Sequence, residues 1–140
     1  GTFCKRYGLE NGTKLNHSII EYCVKDDDLS DPPIAWQAIT ALDPQVEDDL
    51  TVMTAMTEDV NKYLRAIFYT LGLVLVDFKL EFGTNAQGDI VLADEICPDT
   101  MRLWDINTMK SFDKDLFRFD TGDLLAGYKE VKRRLQAWQD

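Results

Sequence analysis

From Leu73 to Phe82 the chain reads LVLVDFKLEF, an alternation that few backbone conformations can use. Strand side chains point to opposite faces with period two. Val74, Val76, Phe78, Leu80 and Phe82 are therefore expected on one face, the core face, and Asp77, Lys79 and Glu81 on the other. That second face begins apolar at Leu73 and Leu75 before its three charges of mixed sign. A solvated strand face has the same composition, so alternation alone specifies a strand and not a site. The next residues narrow the choice. Gly83 and Gly88 bracket a turn, IVLADE follows, and Asp94 and Glu95 end an apolar run where a plain buried strand has no carboxylate. Hairpin pairing returns this run, and the polar loop PDTMRLWD after it, toward the charged face. A lysine among carboxylates, with more carboxylates across the ladder, suits a divalent cation and a phosphate. Hard oxygen ligands hold magnesium, and the ammonium meets the anion.

The rest of the chain supplies a scaffold. Gly1 to Tyr7 reads as a short strand, on which Thr2 and Lys5 or Arg6 reach toward a phosphate. Ile19 to Val24 reads as a strand, ended by KDDDLSDPP, whose Pro32 and Pro33 are expected to forbid regular pairing. Ile34 to Leu42 reads as a short helix. Asp43-Pro44 then resembles a cap with Pro at the first helical position. Val46, Leu50, Met53, Met56, Val60, Leu64, Ile67 and Leu71 recur at three- and four-residue steps, a long amphipathic helix ending at Gly72 and backing the hairpin. Residues 109–119 read as irregular, with Lys114 and Arg118 four apart. Asp120 or Thr121 is the expected cap of a last helix. Its apolar stripe is Leu124, Leu125, Tyr128, Val131, Leu135 and Trp138, and its Lys129, Lys132, Arg133 and Arg134 form a solvated face. The expectation is a single α+β domain over residues 1–140: an antiparallel sheet packed against a long helix and a C-terminal helix.

Charge and composition exclude several classes. The net charge of −10 argues against a nucleic-acid or anionic-membrane surface, though local Lys and Arg can still bind small anions. No apolar run of about 18 residues is present, so no transmembrane helix is expected, and no leader is visible. Cys4, Cys23 and Cys97 are widely spaced and odd in number, as in reduced cytosolic proteins. The only His, His17, sits in a polar loop. Ser-His-Asp, Cys-x-x-Cys, P-loop and GxGxxG arrangements are all missing. What remains is carboxylates, Lys and Arg around a hairpin. That set suits phosphoryl transfer, where catalysis is mostly positioning and charge neutralisation.

The runs VDFKLEFG and LADEICPDTMRLWD resemble the second signature of the phosphoribosylaminoimidazole-succinocarboxamide synthase (SAICAR synthetase) family. KRYGLENGTKL, KDDDLSDP and FDKDLFRFDTG also fall where that family has similar runs, so the resemblance covers essentially the whole chain. It implies a cytoplasmic ATP-dependent ligase of purine biosynthesis. ATP activates the carboxylate of carboxyaminoimidazole ribotide (CAIR) as an acyl phosphate, and the amine of L-aspartate displaces phosphate. By position, the resemblance implies that Glu81 and Asp94 hold the magnesium of MgATP. Both can face one metal only if Glu81 pairs near Leu92 or a bulge turns Asp94 inward. It implies that Lys79 meets a phosphoryl oxygen or the substrate carboxylate and that Asp77 lies beside the ribotide carboxylate and a second cation. Arg102 would bind the ribotide, with Lys114 and Arg118 at its phosphate. Thr2, where the family usually has Ser, and Asp31, before Pro32, would line the substrate pocket. Asp99 and Trp104 would shape the loop. The resemblance is to the C-terminal part of the enzyme. An N-terminal lobe of the same enzyme, carrying the adenine pocket and phosphate lid, is an expected partner, and a homodimer is expected by analogy with bacterial members. The competing reading is a non-catalytic ligand-binding or interaction domain that kept the fold and lost the ATP lobe. A magnesium-dependent hydrolase is a weaker third, because only carboxylates are available as a general base.

Overall fold

The computed structural model describes residues 2–94, 96–113, 115–118 and 122–139. The chain divides into two compact units, Gly1–Val46 and Glu47–Asp140.

The first unit opens with a helix where a strand was expected, α1 (Thr2–Tyr7). Phe3 and Tyr7, one turn apart, stack with ring centroids 4.7 Å apart, an i,i+4 pair available only to a helix. Past Gly8, at φ +65°, the Leu9 N–H returns to the Cys4 carbonyl at 2.9 Å and closes the helix end. The strand expected over 19–24 shrinks to β1 (Tyr22–Cys23), paired with β2 (Pro33–Ile34). The two prolines shorten this ladder without forbidding it. Pro33 stands opposite Cys23, and the Pro32 carbonyl accepts the Val24 N–H at 3.0 Å. A proline lacks the donor but keeps the acceptor. Because Ile34 belongs to β2, α2 begins later than expected and spans Trp36–Leu42. Asp43 Oδ1 accepts the Gln45 N–H at 3.0 Å, and a 3-10 turn over Pro44–Val46 follows.

In the second unit α3 (Glu47–Thr70) buries Leu50 of the expected stripe and packs its Leu64 and Ile67 on the core, and it also buries Phe68, which lies outside that stripe. Its 24 residues span about 36 Å. Glu47, Asp48 and Asp49 fill the first turn, where negative charge complements the helix dipole. Gly72, at φ +70°, turns the chain into β3 (Leu73–Phe78).

The expected single strand over 73–82 is two strands with different partners. β3 pairs antiparallel with β6 (Met101–Asp105), and β4 (Phe82–Thr84) with β5 (Ile90–Leu92). The expected core face is also reversed at its start. Leu73 and Leu75 face the core, whereas Val76 is exposed. The register slips between Leu75 and Asp77, leaving Val76 as the extra residue of a bulge, and Phe78 returns to the core side. Phe68, Leu71, Leu73, Met101, Leu103 and Val131 form the buried cluster.

The chain beyond β6 folds back along it. The Asp105 N–H donates to the Lys110 carbonyl, Ser111 bridges to Trp104, and the Phe112 N–H donates to the Leu103 carbonyl. The short helix α4 (Asp115–Arg118) lies within the stretch read as irregular. In α5 (Leu124–Gln139) the cap is Asp123, whose Oδ1 accepts the Leu125 N–H at 2.9 Å; Asp120 and Thr121, the expected caps, lie outside the described residues. The stripe is narrower than expected, since Leu125 and Trp138 are exposed. Arg134 is a further correction, because it turns inward rather than into solvent. Nε donates to Glu130 at 2.7 Å and Nη2 to Asp105 at 2.8 Å. Nη1 donates to the carbonyls of Leu71 and Gly72, and the guanidinium lies 5.3 Å from the Phe112 ring centroid. Arg134 thus satisfies the Leu71 carbonyl just past the end of α3 and adds a second donor at Gly72, whose carbonyl also accepts the Ile106 N–H at 3.0 Å. The architecture is α+β: small antiparallel sheets, a long helix and a C-terminal helix. Among the described residues no helix is long and apolar enough to cross a membrane.

Candidate functional site

The charged triplet lies where the chain leaves one sheet and joins the other. At the end of β3 the Lys79 N–H donates to the Thr100 carbonyl at 2.8 Å. Two residues later the Glu81 carbonyl accepts the N–H groups of Ala93, at 2.8 Å, and Asp94, at 3.4 Å. Both N–H groups thus share one acceptor just beyond the last ladder pair, Phe82 with Leu92. The turn between β4 and β5 is held by Asn85, whose Oδ1 accepts the N–H groups of Gln87 and Asp89, and by Gly88 at φ +90°.

The side chains near this crossover form two ion-paired sets. Lys79 Nζ lies 3.0 Å from Glu81 Oε1, with the lysine half exposed. Arg102, on β6 opposite Asp77, donates from Nη1 to Asp77 Oδ2 and from Nε to Asp115 Oδ2, both at 2.7 Å. The two acceptors differ: the Asp77 side chain is 54% exposed, that of Asp115 15%. Burial works against the Arg102 charge, but Asp77 and Asp115 together outweigh it and raise its pKa above the ordinary guanidinium value. Behind the pair lies Asp113, fully buried. Its Oδ2 accepts the Leu103 N–H at 2.8 Å and its Oδ1 accepts the Asp115 N–H at 2.9 Å. One carboxylate thereby ties β6 to the first turn of α4.

The other expected residues are placed as follows. Asp31 is in the first unit, in a loop where Ser30 and Asp31 both adopt positive φ, 59° and 48°. Its Oδ1 accepts the Asp26 N–H at 3.0 Å. Non-glycine residues held in this region cost of order 1–3 kcal/mol each. Thr2 lies in α1 rather than on a strand, and Arg118 lies in α4. The side chains of both, together with Lys114 and Glu95, fall outside what is described. Trp104 pairs with Val74 and bridges Ser111, and Asp99 sits in the 3-10 turn over Pro98–Thr100. His17 is exposed.

The expected donors for a divalent cation are Glu81 and Asp94. Among the described residues no group of three or more His, Cys, Asp or Glu is arranged to hold a metal. Two carboxylates nevertheless fit magnesium, which is usually held by one or two carboxylates with phosphate oxygens and water completing the shell. Sequence reasoning missed Asp113 and Asp115, which flank Lys114 in FDKDLF. The available signal was a pair of acids two apart, following the single basic residue of the strand MRLWD.

A sequence model of the SAICAR synthetase family matches residues 1–135. The phosphoribosylaminoimidazole-succinocarboxamide synthase of Dichelobacter nodosus is 48% identical over 136 residues, covering 97% of this chain and 57% of that protein. Among solved structures, a SAICAR synthetase in complex with ADP superposes with a TM-score of 0.91 at 43% identity, covering 98% of this chain and 58% of that one. The phosphoribosylaminoimidazole-succinocarboxamide synthase from Ehrlichia chaffeensis gives a TM-score of 0.91 at 41% identity, over 98% of this chain and 59% of that one. The chain thus spans a little under 60% of the length of these relatives.

Proposed function

We propose a function from one premise: this chain belongs to the SAICAR synthetase family. The function is that of an ATP-dependent carbon–nitrogen ligase of purine biosynthesis, joining L-aspartate to CAIR to give SAICAR, ADP and phosphate. This chain supplies the part that binds the ribotide and the magnesium of MgATP. The rest of the enzyme supplies the remainder of the nucleotide site, and the setting is the cytoplasm. One observation supports the reading: the Asp94 N–H donates to the Glu81 carbonyl at the crossover that also bears Lys79.

In this reading Glu81 and Asp94 hold the magnesium, which when bound neutralises charge on the phosphates. Lys79, half exposed, swings from Glu81 to a phosphoryl oxygen of ATP or to the carboxylate of CAIR. Asp77 orients the ribotide beside that carboxylate, and Arg102 binds an anionic group of the ribotide with its planar fork. Lys114 and Arg118 add positive charge at the ribose phosphate, and Thr2 and Asp31 complete the substrate contacts. The CAIR carboxylate attacks the γ-phosphorus of ATP and releases ADP. The amine of L-aspartate then attacks the acyl phosphate and releases phosphate.

The test is ADP release with MgATP, CAIR and L-aspartate, omitting each in turn, on this chain alone and with the remainder of the enzyme added. Release that needs all three substrates supports the ligase. Silence in both settings favours a ligand-binding domain without catalysis. In the competent form E81Q is expected to abolish magnesium-dependent turnover, a loss of about 100-fold or more; a variant that kept its activity would remove Glu81 from the metal site.

A further inference from the structure

Arg102 does not stand alone. A strand arginine has a long, flexible stem whose rotamer freedom must be lost before it can bind anything. Arg102 is held by one bond at its inner nitrogen. Nε donates to Asp115 Oδ2 at 2.7 Å, on a carboxylate that is mostly buried. Asp115 is itself fixed, because its backbone N–H donates to Asp113, and Asp113 accepts the Leu103 N–H one residue beyond Arg102. A closed circuit therefore runs from β6 through Asp113 and the first turn of α4 to Asp115 and back to Arg102. The outer edge of the guanidinium is treated differently. Its Nη1 bonds to the half-exposed Asp77, and among the described residues its Nη2 has no partner. Among the described residues the second oxygen of Asp115 is buried and without a hydrogen bond. A buried acceptor left in that state is costly, which is unusual for an ion pair whose only task is surface stability.

We propose that Asp115 is a positioning residue: it fixes Arg102 through Nε so that the outer edge of the guanidinium meets an anionic group, phosphate or carboxylate, of the bound ribotide. This rests on the reading of Arg102 as a ribotide-binding group. Asp115 touches no substrate and acts only through Arg102. A pre-set fork binds more tightly because less freedom is lost on binding.

The test is a double-mutant cycle on CAIR affinity, using the parent chain, R102A, D115A and the double variant, each checked for folding by its thermal midpoint. R102A is expected to weaken binding by about tenfold or more and D115A by about three- to tenfold, as for charge-assisted hydrogen bonds. In the R102A background, D115A should then have no further effect. Coupling of this kind separates action through Arg102 from a general structural role. D115N, which keeps an oxygen to accept from Nε, should recover part of the loss and replaces D115A in the cycle if that variant does not fold. Equal losses from D115A in both backgrounds would overturn the positioning role while leaving Arg102 as a binding group. A parent chain that does not bind CAIR, or an R102A variant that binds as the parent does, would overturn the assignment of Arg102 and the positioning role with it.

Discussion

Two arginines of the second unit are each held by two carboxylates, yet they are built for different ends. Arg134 donates four hydrogen bonds, to Glu130, Asp105 and the carbonyls of Leu71 and Gly72, and packs on Phe112. Its donors are nearly used up, and they join α5 to the corner between α3 and β3. Arg102 donates two, and one goes to a half-exposed acceptor. A guanidinium has five donors in a fixed fork. One that is almost saturated by its own chain is a rivet, and one left half-open can take a ligand. The difference separates a saturated cation from one with donors to spare better than charge or exposure alone.

The strongest way to break this comparison is to remove each arginine and measure stability. R134A should cost about 2–3 kcal/mol in urea unfolding, because it removes the ionic partner of the mostly buried Asp105 and strands the Leu71 carbonyl. In a D115N background, which removes the mostly buried charge that R102A alone would strand, R102A should cost about 1 kcal/mol or less, since Asp77 is solvated when released. Equal losses would dissolve the distinction. Acid sharpens it further. Hydrogen bonds from Arg133 and then Arg134 hold Glu130 down to about 2, and Arg134 followed by the Thr108 N–H holds Asp105 well below the carboxylate range. Both groups bind protons less readily folded than unfolded. Their contribution is therefore complete above the ordinary carboxylate pKa near 4.5 and is lost as the pH falls toward 2. Urea midpoints between pH 6 and pH 3 should fall more steeply for the parent than for R134A; parallel curves would show that Arg134 does not set these acidities. The smallest effect is expected from D77N, which should leave the urea midpoint within about 0.5 kcal/mol of the parent, because that partner is half exposed.

The long helix was legible because a three- and four-residue apolar rhythm over 24 residues has few other uses, and Gly72 marked its end. The charged triplet was also legible. The path of the strand was not. Period-two alternation assigned the core to Val74 and Val76, but the first residues of β3 follow the opposite phase and the bulge at Val76 restores it. A single extra residue reverses the face of a strand without changing the apolar pattern. Nor could alternation reveal that one run serves two sheets, since pairing partners are set by distant segments. Arg134 was hidden for another reason. It neighbours three basic residues on a helix whose rhythm suggested solvent, and its partners at Leu71, Gly72 and Asp105 lie far away in the chain. In the first unit the aromatic pair Phe3 and Tyr7 decided for a helix, a signal carried by one spacing only.

Asp113 has a consequence beyond the arginine it helps to place. Its carboxylate takes the Leu103 N–H, and the residues before it take the next bonds along β6, as a neighbouring strand would. The free margin of the sheet is closed by the chain's own backbone and one buried acid. Open strand margins invite pairing with other chains and are a common origin of aggregation. Along β6 an incoming peptide would first have to displace Asp113, and the acid would lose its amide partners on the way out.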